Sequence, residues 1–278
     1  MALDLKSYLA RIGSEGRLRA DLETLQKLHL AHATHIPFEN LDVLLRRPIP
    51  LDLDSLFEKL VHGGRGGYCF EQNGLFAAVL EEIGFRVMRL AGRVRMGASA
   101  IRPRTHMVLA VTVEGENWLT DVGFGLEGLL YPVPLRLDDP VRHFGWKYRL
   151  IAAGPAYVLQ SFHQIDDAPA CVLQPFHPEG WLDLYSFTME EQHQADYEMA
   201  NYYTSTNPRA AMVNTLLAQR PGIDVRLMLR NRHLIERTPK GGSVTELPDD
   251  EAILAVLAER FDLHVPADTR FAFNESFG

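Results

Sequence analysis

Apolar residues recur at helical spacing through the first third of the chain and then, from Phe85 onward, fall into short runs separated by turn residues. In the first part Leu22, Leu25 and Leu28 line one face behind Asp21, a natural N-cap, and the pattern stops before Pro37. Asp54 is placed to cap another helix. From Cys69 the residues Leu75, Val79 and Ile83 again share a face until Gly84 ends it. Residues 1–84 therefore read as helical, with Cys69 opening a buried helix.

The later rhythm predicts strands over 85–96, 105–113, 118–124, 146–151, 157–162 and 181–187. Glu114-Gly115-Glu116-Asn117 reads as a hairpin loop. That loop sets His106, near the start of one strand, close to opposite Asp121, near the end of the next. A small antiparallel barrel or curled sheet over 85–188 follows. Thr188-Met189-Glu190-Glu191 has the form of a capping box and predicts a connecting helix to about Asn201. Asn207-Pro208 reads as an N-cap followed by proline at the first helical position. Strands near 225–229 and 233–237, a Lys240-Gly241-Gly242 turn and a helix over 249–261 complete a mixed α/β segment, 189–278. With no internal repeat or long linker, the expected class is α+β in three closely packed segments.

Composition narrows the function classes. A chain of 278 residues that is 46% hydrophobic can bury a substantial core. The N-terminal residues carry early charge, and no apolar run approaches the roughly 20 residues that cross a bilayer. A soluble, cytoplasmic protein with no membrane partner is the expectation. Cys69 and Cys171 are far apart in sequence and suggest no disulfide framework. A net charge of −8 without a basic block argues against nucleic acid as a partner. Local positive charge does gather at Arg86, Arg89, Arg93, Arg95, Arg102 and Arg104, which as single residues read as solvated strand faces but leave room for an anionic ligand.

The chemistry lies in the ordered set Cys69, His106, Asp121. A glycine-rich turn, Arg65-Gly66-Gly67-Tyr68, leads into the Cys69 helix. The unpaired N–H groups of a helix start favour an anion, which predisposes this thiol to act as a nucleophile. A histidine takes the proton, and a carboxylate on its far nitrogen fixes the tautomer and supports the cation. Each residue alone also has a bland reading, the thiol as a buried hydrophobe and the histidine as a structural one.

The surrounding residues decide between these readings. Arg65-Gly66-Gly67-Tyr68-Cys69-Phe70-Glu71-Gln72-Asn73-Gly74 resembles the active-site cysteine signature of the arylamine N-acetyltransferases. Ile36-Pro37-Phe38-Glu39-Asn40-Leu41-Asp42, Arg104-Thr105-His106 and Thr120-Asp121-Val122-Gly123-Phe124-Gly125 resemble that family's other motifs, in its order and spacing. The resemblance implies a helical N-terminal domain, a central antiparallel β-barrel and a C-terminal α/β lid. It implies acetyl transfer from acetyl-CoA to arylamines, arylhydrazines and related amines, with no metal. Cys69 matches the acetyl-carrying nucleophile, His106 the base and Asp121 the orienting acid of a cysteine-protease-like triad. Phe38, Val94 and Phe124 match positions lining the acceptor pocket.

For coenzyme A no Walker loop or dinucleotide-binding fingerprint is present. Thr105, Tyr203 and Arg209 match family positions near the coenzyme. A helix starting at Pro208 would also direct free N–H groups toward an anion, with Arg209 adding a cation. Glu39 and Arg65 read as an ion pair supporting the cysteine loop, and Cys171 as an inert buried thiol. The reading is a two-step, ping-pong acetyltransferase. A macrolactam-forming amide synthase of the same family remains open, as does a transglutaminase-like or cysteine-hydrolase enzyme, and more remotely a non-catalytic binding module.

Overall fold

The computed structural model describes residues 3–98, 100–125, 127–163 and 180–274. The chain opens with α1 (Leu5–Arg11) and α2 (Leu22–His35), a two-residue strand β1 (Phe38–Glu39), the short helices α3 (Leu41–Leu44) and α4 (Leu53–Phe57), a π-helical turn (Glu58–His62) and α5 (Cys69–Ile83). Asp21 caps α2 as its sequence predicts, its carboxylate accepting the Thr24 N–H at 2.9 Å. The cap of α4 is Asp52, which accepts the Ser55 N–H at 3.0 Å. Asp54 instead lies within the first turn, where its charge faces the positive end of the helix. At the end of α5 Gly84 adopts a φ of 105°, the left-handed closure that glycine permits.

Eight strands then form one antiparallel sheet: β2 (Arg86–Val94), β3 (His106–Val113), β4 (Glu116–Thr120), β5 (Val133–Pro134), β6 (Val141–His143), β7 (Trp146–Ala153), β8 (Ala156–His163) and β9 (Gly180–Glu191). Their order, β5-β4-β3-β2-β9-β8-β7-β6, curls into a nearly closed barrel, with register shifts between Leu90 and Gly92 and between Leu159 and Gln160. Leu90, Val108, Leu119, Tyr148, Leu159 and Leu184 fill it. The hairpin between β3 and β4 is tighter than its sequence suggests. Val113 already pairs with Glu116, leaving Glu114 and Gly115 to turn at φ 51° and 83°.

Two expected helix starts are corrected. The Thr188–Glu191 capping box does not open a helix, because β9 runs through Glu191 and the Gln192 N–H bonds to the Arg89 carbonyl at 2.8 Å. Sheet pairing takes the backbone groups that a cap would have used. The helix α6 (Gln194–Thr206) starts later, with the His193 N–H on the Asp196 carboxylate at 2.8 Å, and runs past Asn201. Asn207 then ends α6 and folds back on itself, its side-chain oxygen accepting the Arg209 N–H at 2.8 Å. No helix begins at Pro208; the next, α7 (Ala211–Asn214), has four residues.

The remaining strands β10 (Leu217–Arg220), β11 (Arg226–Arg230), β12 (His233–Thr238) and β13 (Gly241–Glu246) form a second antiparallel sheet, covered by α8 (Asp250–Phe261). Ile253, Leu257 and Phe261 pack on Leu216, Ala218 and Leu229. This sheet begins with β1, which pairs with β10, so the first 84 residues are not wholly helical. Asn40 secures that joint: its amide donates to the Met212 and Thr215 carbonyls at 2.8 and 2.7 Å and accepts the Leu217 N–H at 2.8 Å. Among the described residues no helix is long and apolar enough to cross a membrane.

Candidate active site

Cys69 stands at the first position of α5 and is 6% exposed. The preceding turn is held on several sides. The Glu39 N–H bonds to the Gly67 carbonyl at 3.1 Å, and the Gly67 N–H to the Pro37 carbonyl at 3.3 Å. Gly66 sits so close to Pro37 that a Cβ there would overlap its carbonyl oxygen. Glu71 returns to accept the Tyr68 N–H at 3.0 Å, tying the helix start to its own first turn. Lys59 in turn bridges Glu71 and Asp42 at 2.6 and 2.7 Å, and Arg65 lies on Glu39 at 2.7 Å. This mostly buried network of charges backs the cysteine loop.

His106 opens β3 and Asp121 follows the last residue of β4. They are not directly opposite. Thr120 faces Leu109, which leaves Asp121 diagonal to His106, and His106 Nε2 meets Asp121 Oδ2 at 2.7 Å. With Nε2 occupied, Nδ1 is the nitrogen left for Cys69, whose side chain is within hydrogen-bonding reach of the ring. The Cys69 Sγ lies 3.6 Å from the Thr105 carbonyl. Burial alone would keep His106 neutral, but Asp121 and Cys69 together outweigh it and raise its pKa to about 10. Burial likewise opposes ionisation of Asp121, yet His106, Asn73 and the Gly123 N–H hold its carboxyl below the usual carboxylate range.

Asn73 ties the three residues together. One helical turn beyond Cys69 and on the same face, it donates to the Met107 carbonyl at 2.8 Å and to Asp121 Oδ1 at 2.9 Å, and its oxygen accepts the Val122 N–H at 3.0 Å. Gly123 donates to Asp121 Oδ1 at 2.9 Å and lies against α5: a Cβ there would come within 2.8 Å of Cys69 Cα. The motif around Asp121 is thus a backbone packed flat on the cysteine helix. Tyr185 is wholly buried, its ring 4.8 Å from that of His106 and 5.0 Å from that of Phe124. Asn73 received no role from the sequence, although its spacing of one helical turn from Cys69 is a signal that could have found it. Tyr185 carried no local signal.

The acceptor candidates divide. Phe124 is half-buried with its ring edge-on to His106 at 5.0 Å, and Val94 ends β2 paired with Tyr185. Phe38 is buried in the cluster that holds Cys69 and Val122. The coenzyme candidates are more scattered. Thr105 adjoins Cys69 through its carbonyl, whereas Tyr203 lies near the end of α6 and Arg209 in the exposed turn beyond it. The arginines near His106 are largely engaged: Arg89 with Glu81, Arg95 with Asp183 and Arg104 with Glu190. A cavity of about 1370 Å³ lies on the other flank of α5, lined by Phe70, Met107, Tyr197, Tyr202 and Thr206 but by none of Cys69, His106 and Asp121. Cys171 lies outside the described residues.

Comparison with known proteins supplies independent findings. A family model described as N-acetyltransferase matches residues 21–270. An arylamine N-acetyltransferase of Escherichia coli is 41% identical over 265 residues, 94% of this chain and 89% of that protein. The crystal structure of the Nocardia farcinica arylamine N-acetyltransferase superposes with a TM-score of 0.85 at 40% identity, covering 95% of this chain and 90% of that one. The Mycobacterium marinum arylamine N-acetyltransferase in complex with CoA does so with a TM-score of 0.86 at 35% identity, covering 94% and 93%. A proansamycin X synthase of Amycolatopsis mediterranei is more distant, 29% identical over 263 residues, 92% of this chain and 95% of that protein.

Proposed function

The chain belongs to the arylamine N-acetyltransferase family of acyltransferases, and from that premise we propose that Cys69, His106 and Asp121 carry an acetyl group from acetyl-CoA to an arylamine or arylhydrazine. The observation that supports this most is the buried arrangement of a cysteine at a helix start, a histidine in reach of it and a carboxylate 2.7 Å from the far ring nitrogen. In the first half-reaction the Cys69 sulfur attacks the thioester carbon, the bond to the coenzyme sulfur breaks, and coenzyme A leaves as a thiol with the proton held on His106. In the second the amine nitrogen attacks the acetyl carbon and the Cys69 thioester breaks. The proton lost by the amine passes through His106, restoring the starting pair. Asp121 keeps the imidazole oriented and offsets its charge throughout.

Phe124 and Phe38 give the acceptor an apolar, aromatic slot. Arylamines are largely neutral at pH 7 and enter such a slot without the desolvation cost of an alkylammonium. For coenzyme A the assignment rests on Thr105, Tyr203 and Arg209. Arg209 acts there as a side-chain cation only, because its N–H is taken by Asn207. A reducing, cytoplasmic setting suits a thiol nucleophile.

Incubation with acetyl-CoA alone tests the proposal. One acetyl group per chain by intact mass, stoichiometric release of coenzyme A thiol and loss of both in Cys69→Ser are the expected results. A folded, reduced protein that hydrolyses peptide amides, or takes long acyl chains from a carrier but no acetyl group, would establish one of the rival activities instead.

A further inference from the structure

The ladder between β3 and β4 ends at Leu109 and Thr120, so the backbone N–H of Asp121 emerges into the protein interior without a strand to receive it. It is received by a side chain from α2: His29 Nε2 accepts it at 3.3 Å, with both residues wholly buried. We propose that His29 is a positioning residue for acetyl transfer, its neutral imidazole holding the Asp121 N–H and thereby fixing the direction in which Asp121 presents its carboxylate to His106. The proposal rests on the triad reading above.

The geometry gives this contact a specific role. The carboxylate of Asp121 is tied by Asn73, Gly123 and His106, and all three bonds depend on where the main chain places Cα and Cβ. Those three partners define the side chain; His29 defines the backbone behind it. An unreceived N–H at this depth would cost about 1–3 kcal/mol and would turn toward another acceptor, swinging the carboxylate with it.

Only one form of His29 can do this. Nε2 must carry the lone pair, so the proton sits on Nδ1, which is buried without a hydrogen-bond partner among the described residues. Burial keeps the ring neutral, lowering its pKa to about 4 although Asp121 pulls the other way. The other titratable groups facing it are His32 on its own helix and His143 on β6, each held neutral by burial with a pKa lowered to about 3. No cation therefore competes for the Asp121 carboxylate from this side. Phe76 sets the ring from below, edge-on at 6.0 Å.

The test compares two substitutions and one spectrum. His29→Leu fills much of the space without an acceptor, and His29→Gln returns an oxygen near the position of Nε2. The Leu variant is expected to acetylate Cys69 about tenfold more slowly, the kinetic equivalent of one lost buried hydrogen bond, and His106 is expected to titrate at lower pH by NMR. Gln restores most of both. A space-filling role would lower the Tm of the variants and leave the pH–rate profile and the His106 titration unmoved, which overturns the proposal. Asp121→Asn in the same assay separates the two ideas: if it too reacts like the wild type, the triad reading fails. In the wild type, ¹⁵N-histidine spectra should show His29 as the neutral Nδ1–H tautomer. A proton on Nε2 would refute the proposal even if His29→Leu did not fold.

Discussion

Gly123 shows how far a single side chain is constrained around this site. Its N–H caps Asp121 while its α-carbon lies on the cysteine helix, so an added Cβ would meet Cys69 Cα at 2.8 Å and Asn73 Nδ2 at 2.9 Å. Both neighbours are fixed backbone or bonded amide, and neither can yield cheaply. Gly123→Ala should therefore cost about 1–3 kcal/mol by overpacking and slow Cys69 acetylation more than it weakens acetyl-CoA binding, as thermal melts and single-turnover kinetics would show. Phe124 makes a contrasting case, since it touches His106 but makes no hydrogen bond to the triad. Phe124→Ala should raise the KM for arylamines several-fold, consistent with about 0.5–1.5 kcal/mol per aromatic pair, and leave the first half-reaction mostly unchanged. Loss confined to the first half-reaction would place the acceptor slot elsewhere.

At the scale of elements, some of the chain's local signals hold and one fails because a sheet competes for its backbone groups. Asp21 and Gly84 delimit α2 and α5 as their residue types predict. The capping box at Thr188 is overridden because β9 continues its ladder with β2 as far as Glu191. Asp52 and Asp54 offer a direct comparison. Asp52→Ala removes a side-chain cap, whereas Asp54→Ala removes only a charge near the helix start, so the first should cost more stability. Paired denaturant titrations of the two variants would reveal the order, and a larger loss at Asp54 would contradict the observed cap.

Across the whole molecule, buried titratable groups couple the fold to pH. His29, His32 and His143 are neutral when folded, with pKa values lowered to about 4, 3 and 3. A depressed folded value means their contribution is present above the ordinary histidine pKa and is lost as pH falls toward the folded one. His106 has the opposite sign: raised to about 10, it stabilises fully below its ordinary value and loses that contribution as pH rises through the folded one. The Tm should therefore peak near neutrality, falling between about pH 6.5 and 3 and again toward pH 10. Replacing His106 by Gln should flatten the alkaline limb. Charge also joins the barrel to the second sheet, where Arg226 and Arg237 converge on Glu127 with Arg226 stacked 4.0 Å over Trp146.

The sequence by itself determined the helical start, the succession of strands, and the ordered cysteine, histidine and aspartate within motifs that resemble one family. Those features follow from nearest-neighbour chemistry: apolar period, caps, turn residues and the residue types that thiol chemistry needs. Tertiary structure alone decided that Phe38 and Glu39 form a strand of a distant sheet, that Asp121 meets His106 diagonally, and that Tyr185 and His29 surround the pair. These contacts join residues far apart in the chain, and their positions depend on strand register and on which faces pack together. No local pattern encodes that, because register is settled only when the whole barrel, its covering helices and the buried charges between them close at once.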